Sequence, residues 1–198
     1  MPRDKTSPTA GKRGEPVRQR VIDAAERLLR DGKADFSMRD LASDASVSFA
    51  TPFNQFGSKA AIMLALSARR IDAMIQRLAA ASTRANAVDR VRLAVDIAVG
   101  VMLEEPDVNR AVLGWLGSAG APPGQVLAHS KALWARALGD GEGLAPARRA
   151  EALTCLPGLL AFGFRGVLSF WTAGELSDEA FAVSASEMAT ALLLPFTE

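Results

Sequence analysis

Apolar residues recur at steps of three and four along most of this 198-residue chain, which is the spacing of helices that bury one side. Val17, Val21 and Ala24 begin the pattern, and comparable segments follow, separated by glycine or proline. Clustered β-branched residues in short alternating runs, which would indicate strands, are rare, and the chain has no tyrosine. We therefore predict an all-α protein.

The composition argues against several classes of protein. With a single cysteine, Cys155, and a single histidine, His129, the chain cannot close an internal disulfide, and a structural zinc site is not expected. The N-terminus is polar and basic, unlike a signal peptide. The most apolar stretch, Leu156–Trp171, is short for a membrane span and contains Pro157 and Arg165. We expect a cytoplasmic protein without a membrane span, metal or cofactor.

Two glycine-rich segments have a superficial likeness to catalytic loops. Residues 139–143 lack the preceding strand and the spacing of a phosphate-binding loop, and residues 117–120 lack the spacing of a nucleophile elbow. With one histidine and one cysteine, most pairs of base and nucleophile cannot be assembled. Both segments are interpreted as linkers between helices, and no enzymatic activity is expected.

Charge is spread unevenly around a formal net charge of +1. The first 59 residues carry an excess of Lys and Arg, which is strongest in the first twenty, and the remainder is slightly acidic. Residues 1–15 have no periodicity and are predicted to form a flexible basic arm. A basic N-terminal part is compatible with a polyanionic partner and equally with a solvated tail.

Local signals divide the next part of the chain into short helices. Pro16 is predicted to open the first helix, which ends at Asp31-Gly32, and Ser37 is a suitable N-cap preceded by Phe36 as a hydrophobic staple. The elements predicted after it are a helix over 38–45, a tight turn at 46–47, a helix from Ser48 or Phe49 to Phe56, and a long helix from Lys59 to about Ala80.

Two short helices joined by a tight turn form a helix-turn-helix when one side is apolar and the other is free to read DNA. The inward positions are apolar: Val21, Leu28, Phe36, Leu41, Ala42, Ala45, Val47 and Phe56. The outward positions are Ser48, Phe49, Thr51, Asn54 and Gln55. Asn and Gln can form two hydrogen bonds with an adenine edge, and Ser or Thr can bind bases or phosphates.

The sequence of this region resembles the DNA-binding domain of the TetR family of transcriptional regulators. The resemblance covers about residues 18–66 and rests on the runs FSMRDLA from Phe36, ASVS from Ala45 and PFNQFGSK from Pro52. It implies a three-helix DNA-binding domain at 16–58, a connecting helix at 59–80, and an effector-binding and dimerisation domain at 81–198. In that family the last two helices of each subunit pair into a four-helix bundle.

The resemblance also implies roles for single residues. Lys59 and Arg39 would contact DNA, Lys59 through a phosphate at the N-terminus of the long helix. Two positions depart from the family pattern. Ser46 stands where glycine is common in the turn, and Phe53 stands where a tyrosine hydroxyl commonly reaches a phosphate. Phe53 is therefore expected to contact sugar or a thymine methyl instead.

Beyond residue 81 the pattern indicates longer helices, about 88–102, 107–116, 125–138, 146–172 and 177–194. Pro157 is expected to kink the penultimate helix or to mark its start. Candidates for lining an effector pocket are Met102, Trp115, Trp134, Phe162 and Phe164, with plain core packing as the alternative for each. Arg165 is expected to pair with an acid across the dimer or to bind an effector carboxylate.

These features predict a ligand-responsive, DNA-binding regulator, a repressor released from its operator by a small and largely apolar effector. Its expected partners are double-stranded operator DNA, the effector, and a second copy of the chain bound through the last two helices. The alternative is a helical binding or adaptor protein that has kept the fold without specific DNA binding. The departures from the family pattern at Ser46 and Phe53 favour this alternative.

Overall fold

The computed structural model describes residues 10–81, 86–118 and 125–197, and for residues 10–15, 117, 118 and 125 it describes the backbone alone. Within these ranges the chain is helical and contains no strand, which confirms the all-α prediction. Its helices are α1 (Ala10–Arg30), α2 (Met38–Asp44), α3 (Ala50–Phe56), α4 (Lys59–Ala80), α5 (Ala87–Glu104), α6 (Pro106–Ser118), α7 (Gln125–Leu138), α8 (Arg149–Thr172) and α9 (Asp178–Leu193). Short 3-10 turns precede α8 (Pro146–Arg148) and follow α9 (Leu194–Phe196).

Two prolines lie inside helices rather than at their ends. Helix α1 begins at Ala10, so the prediction that Pro16 opens it is wrong, and so is a flexible arm over residues 10–15. Residues 1–9 of that arm lie outside the described part of the chain. Likewise Pro157 is buried within α8 and does not mark its start. A proline inside a helix forfeits a single backbone hydrogen bond, a cost that side-chain packing can offset.

Hydrogen bonds that serine side chains accept from the backbone fix where α2 and the long helix α4 begin. The backbone N–H of Asp40 donates to Ser37 Oγ (3.2 Å), and the Ser37 N–H donates to Asp40 Oδ2 (2.8 Å), which is a complete capping box. Ser58 Oγ accepts from the Ala61 N–H (3.2 Å) at the start of α4. These caps set the ends of α2 and α4 at the positions that the sequence predicts.

The first apolar core joins α1, α2 and the N-terminal half of α4. Its fully buried members include Val21, Leu41, Ile62 and Leu66. The predicted inward positions are confirmed: Val21, Leu28, Phe36, Leu41, Ala42 and Ala45 are buried, and Val47 and Phe56 are partly buried against this core.

The second core is larger and is built from the C-terminal half of α4 with α5, α7, α8 and α9. Aromatic rings run through its centre. Trp134 meets Phe164 edge-on, with ring centroids 5.5 Å apart, and Trp171 stacks on Phe181 at 5.0 Å. These rings, together with the leucines and alanines around them, give the C-terminal part a continuous apolar interior.

Helix α6 belongs to both cores. Val108, Val112 and Trp115 lie on the side of α6 that packs against the first core, whereas Leu113 is part of the second. The predicted division into a DNA-binding domain at 16–58 and a separate domain at 81–198 therefore does not include the packing of α6 against the N-terminal helices. A helix from the C-terminal part completes the packing of the N-terminal one.

Helices α8 and α9 leave large apolar side chains uncovered. Leu159, Phe162 and Phe170 are exposed on α8, and Val183 is exposed on α9. The stretch Pro146–Thr172 is long and apolar enough to cross a membrane by length and composition, and its 18-residue apolar window has a mean hydropathy of 1.5. One such helix is weak evidence for a membrane span, because a core helix passes the same test. Here α8 packs on α7 and α9 within the bundle.

Candidate DNA-binding surface and ligand cavity

Helix α3 is held on the first core by one buried ring and by one arginine of α1. Pro52, in the first turn of α3, is buried. Arg18 Nη1 donates to the backbone carbonyl of Gln55 (2.9 Å), and its guanidinium lies over the Phe56 ring, 4.2 Å from the centroid. The C-terminal end of α3 is thereby attached to α1. The sequence marked Arg18 as part of a basic segment but gave no signal for this contact.

The opposite side of α3 carries the side chains that the sequence predicted to face DNA. Phe49 and Phe53 are about half exposed and meet edge-on at 5.6 Å, and Arg39 lies over the Phe49 ring at 5.5 Å. Ser48 Oγ and Thr51 Oγ1 share a hydrogen bond of 2.7 Å. Asn54 is exposed and Gln55 is half-buried. The surface thus combines one guanidinium, two aromatic rings and several short polar groups.

The turn between α2 and α3 has a left-handed backbone, the conformation that favours glycine. Ser46 has a φ of 52°, and among the described residues it is the sole non-glycine residue with a positive φ. The Val47 N–H donates to the Ala42 carbonyl (3.0 Å), and the Ser46 N–H donates to the Ser43 carbonyl (3.1 Å). The turn therefore keeps its shape, at a strain of about 1–2 kcal/mol for an L side chain.

Lys59 is turned towards the protein. Its Nζ donates to the carbonyl oxygens of Ala34 (2.7 Å) and Phe36 (2.9 Å), and it lies 4.1 Å from the centroid of the Phe36 ring. Burial lowers the pKa of Lys59, and the charge of Asp35 opposes that shift. An ammonium has three donors, so one remains for a phosphate. In this geometry Lys59 first of all fixes the loop between α1 and α2.

A cavity of about 410 Å³ lies between the helices of the C-terminal part. Its wall is largely apolar and comes from α4, α5, α6, α7 and α8. The lining residues are Ser67, Arg70, Ile71, Met74, Met102, Asn109, Val112, Leu113, Leu116, Val126, Leu127, Ser130, Leu133, Trp134, Ala161, Phe162, Phe164, Arg165 and Leu168. The volume is within the range of about 300–1,000 Å³ that small-molecule sites occupy.

Four of the five side chains named as effector candidates line this cavity: Met102, Trp134, Phe162 and Phe164. The fifth, Trp115, does not. It packs against the first core, and the Lys59 ammonium lies 5.5 Å from its ring centroid. Trp115 follows Val112 by one turn of α6, on the side that faces α1 and α4. The sequence does not show that this side of α6 packs against the N-terminal helices.

Arg165 is a charged residue in the largely apolar cavity wall. It lies within apolar helix α8, and burial lowers the pKa of its guanidinium. Among the described residues no carboxylate pairs with it. The two expectations from the sequence, an acid across a dimer or the carboxylate of an effector, both stay predictions. Trp134 has a related feature, because its buried indole N–H finds no acceptor among these residues.

No protein-family model and no curated protein matches the sequence. Solved structures do match. A TetR transcriptional regulator from Rhodococcus sp. RHA1 superposes with a TM-score of 0.72 over 91% of this chain and 97% of its own, at 22% identity. The chain has the TetR-family fold. A protein assigned to the same family from Mesorhizobium loti MAFF303099 (TM-score 0.54, 15% identity) covers 94% of this chain and 99% of its own. A TetR-like regulator from Rhodococcus sp. RHA1 (0.50, 19%) covers 94% and 98%.

In this TetR fold a charged network connects the cavity with the DNA-binding part. Arg70, on α4, lines the cavity and donates to Glu26 of α1, to Glu105 Oε2 (3.1 Å) and to Asn109 Oδ1 (2.9 Å). Arg69 Nη1 donates to the other oxygen of Glu26 (2.8 Å). One lining residue is thus bonded directly to the helix that supports α3.

Two groups in this network are held firmly. Burial by itself raises the pKa of Glu26, but the charges and hydrogen bonds of Arg70 and Arg69 outweigh it, so the pKa lies below its usual value. Asn109 is buried and donates from Nδ2 to the carbonyl oxygens of Val101 (3.2 Å) and Met102 (2.8 Å). Sequence reasoning missed this network because its members lie tens of residues apart.

Proposed function

We propose that the protein is a ligand-responsive transcriptional regulator, a repressor that leaves its operator when a small, largely apolar effector occupies the cavity. The observation that carries this proposal is the double role of α6 and Arg70. Both belong to the cavity wall, and both contact the helices that hold α3. A ligand that moves the wall therefore acts on the DNA-binding surface through direct contacts. The TetR fold, shared with solved transcriptional regulators, supports the same function.

DNA binding is assigned to the exposed side of α3 with its flanking residues. Arg39 and Lys59 would lie at the phosphate backbone, and Phe53 would contact sugar or a thymine methyl. The residues that would face the groove with it are Ser48, Phe49, Thr51, Asn54 and Gln55. A gel-shift titration against the DNA upstream of the protein's own gene tests the assignment. Specific binding that weakens as salt rises supports it.

Two substitutions separate the contacts that position the protein from those that read sequence. Arg39→Ala is expected to weaken binding to specific and unrelated DNA by a similar factor, because a phosphate contact carries no sequence information. Asn54→Ala is expected to change the preferred base at one position of each half-site. Lys131→Ala, an exposed charge on α7, serves as the control. Indifference of DNA binding to both test substitutions would contradict the placement of α3.

The homodimer is assigned to α8 and α9, whose outer side is apolar and uncovered. Leu159, Phe162 and Phe170 on α8 are spaced so that they share one side of the helix, and Val183 lies on α9. Covering such a patch with a second copy removes it from water and places two α3 helices on successive major grooves.

Light scattering after size exclusion measures the assembly directly. We expect the unmodified chain to be a dimer and the double substitution Leu159→Glu with Phe170→Glu to be a folded monomer. Phe49→Glu, an exposed aromatic residue on the DNA-binding surface, should stay dimeric. A dimer that survives both glutamates would place the interface elsewhere.

The second candidate function is a helical binding or adaptor protein that does not read DNA. The observation in its favour is the inward position of Lys59 together with Phe53, which lacks a hydroxyl for a phosphate. Under this alternative the exposed pair Phe49 and Phe53 would be a protein contact. Absence of any specific, salt-sensitive binding in the gel shift supports the adaptor. Both candidates would act in the cytoplasm.

A further inference from the structure

The polar groups in the cavity wall divide into those with a partner in the protein and those without one. Arg70 and Asn109 are hydrogen-bonded to other residues of their own network. By contrast, Trp134 Nε1 is a buried donor for which the described residues offer no acceptor. The Arg165 guanidinium lines the same cavity, and within the described ranges no carboxylate pairs with it.

Buried donors without acceptors are rare in folded proteins because each one costs free energy. A guanidinium in an apolar wall costs more, since it keeps its charge at every pH that a protein meets. Trp134 is fully buried, so a second subunit cannot reach it from outside. Trp134 also belongs to the cavity wall, so a molecule bound in the cavity is a source of the acceptor that this N–H lacks.

We propose that the cavity binds an apolar molecule carrying a single carboxylate, which accepts hydrogen bonds from the Arg165 guanidinium and the Trp134 indole N–H. The proposal rests on the proposed function of the cavity as an effector site and names the chemistry of its ligand. A carboxylate matches the paired donors of a guanidinium and has lone pairs left for an indole N–H. One cation balances one negative charge, which selects a carboxylate over a phosphate ester of nearly two charges.

The rest of the wall defines the body of that ligand. Ile71, Met74, Met102, Leu133 and Leu168 present aliphatic and thioether surface, and Phe164 adds an aromatic ring. Methionine side chains are unbranched and adapt to ligands of different shape. A cavity of about 410 Å³ with this wall accommodates a medium-length alkyl chain or an aryl group, with the acid at the Arg165 side.

The test compares acids with neutral amides of the same shape on the full-length protein. The probes are decanoate with decanamide and 4-phenylbutyrate with 4-phenylbutanamide, with decyl phosphate as the doubly charged comparison. Titration calorimetry and the fluorescence of the tryptophans measure the affinities. We expect at least one acid to bind at least tenfold more tightly than its amide and more tightly than decyl phosphate.

Variants assign that preference to the two donors. Arg165→Gln should lower the affinity for the acid at least tenfold and leave the amide within a factor of two or three. Trp134→Phe keeps a ring but removes the N–H, and should weaken the acid by a smaller factor. Arg136→Gln, an exposed charge on the same helix as Trp134 and outside the cavity wall, is the matched control.

The outcomes separate this inference from the proposed function. Acids that bind no better than their amides overturn the inference, even if the protein is a regulator. If Arg165→Gln weakens the dimer and leaves acid affinity unchanged, the arginine pairs with a second subunit and the inference is wrong. If an acid binds through Arg165 but does not change operator affinity, the ligand assignment stands and the proposed regulation fails.

Discussion

Replacing Arg70 by methionine removes the contact between the cavity wall and α1 while keeping most of the side-chain volume. Arg70 bonds Glu26, Glu105 and Asn109 at once, so the substitution cuts three links that run between α1, α4 and the segment from Glu105 into α6. The protein should still fold, because both apolar cores are unchanged.

The size of the effect follows from what remains after the substitution. The Arg70 side chain is 16% exposed, and removing one partner of an isolated buried ion pair costs about 3–5 kcal/mol. Here Glu26 keeps Arg69 at 2.8 Å, and Glu105 keeps a hydrogen bond from Arg30, so neither carboxylate loses its last cation. We therefore expect a loss of about 2–3 kcal/mol, which for a chain of this length lowers Tm by roughly 4–12 °C.

Thermal unfolding followed by circular dichroism at one fixed protein concentration measures this loss. The matched control is Arg77→Met, on the same helix, where Arg77 pairs with Glu104 and both side chains are about half exposed. An exposed pair is worth about 0–1 kcal/mol, so its loss should shift Tm by no more than a few degrees. If Arg70→Met costs no more than Arg77→Met, the network is not what holds α1 to the cavity wall. The same variant should also reduce the change in operator affinity that a bound effector causes.

Three further predictions concern single residues. Ser46→Gly should raise the free energy of unfolding by about 1 kcal/mol in urea titrations, because glycine relieves the positive φ; a loss of stability would refute the strain. Glu26 has a lowered pKa when folded, so its contribution is complete above its ordinary pKa and is lost as pH falls through the folded value. Glu26→Gln should therefore be less stable at neutral pH and lose less stability on acidification, measured by urea titrations at several pH values, whereas Glu175→Gln in an exposed turn should follow the unmodified protein. Phe53→Tyr should tighten DNA binding about three- to tenfold in gel shifts, the worth of one hydrogen bond to a phosphate, for specific and unrelated sequences alike; unchanged binding would place residue 53 away from the backbone.

The sequence predicts most of the fold because the signals for helices are local. The bounds of α4 and the cap at Ser37 follow from residues within one turn of each other. The prediction was wrong at Pro16 and Pro157, because a proline shows which backbone hydrogen bond is lost but not whether the helix continues through it. At Pro157, burial in the core compensates for the lost bond. Four of the five residues that the sequence proposed for the effector pocket line the cavity. Large apolar side chains on neighbouring buried helices tend to face the same interior, which is why the sequence could indicate them.

What could not be read from the sequence depends on which side of a helix meets which neighbour. Trp115 and Val112 lie on a side of α6 that packs against the N-terminal core, and Lys59 bends towards two carbonyls of a loop. The bond between Arg70 and Glu26 joins residues that are 44 positions apart. Contacts of this kind depend on tertiary geometry. The spacing of residue types along one helix shows which side is apolar but not which neighbour that side contacts.

Helix α6 limits how the protein can change in evolution or by design. Val112 lines the cavity and is also part of the N-terminal core. A substitution there that reshapes the site for a new ligand also alters the seat of α1 and α4, so ligand preference and operator affinity cannot be tuned separately at this position. Leu133, which lines the cavity and packs within the C-terminal core, carries no such constraint. Redesign of the protein as a sensor should therefore begin on α7 and leave α6 as it is.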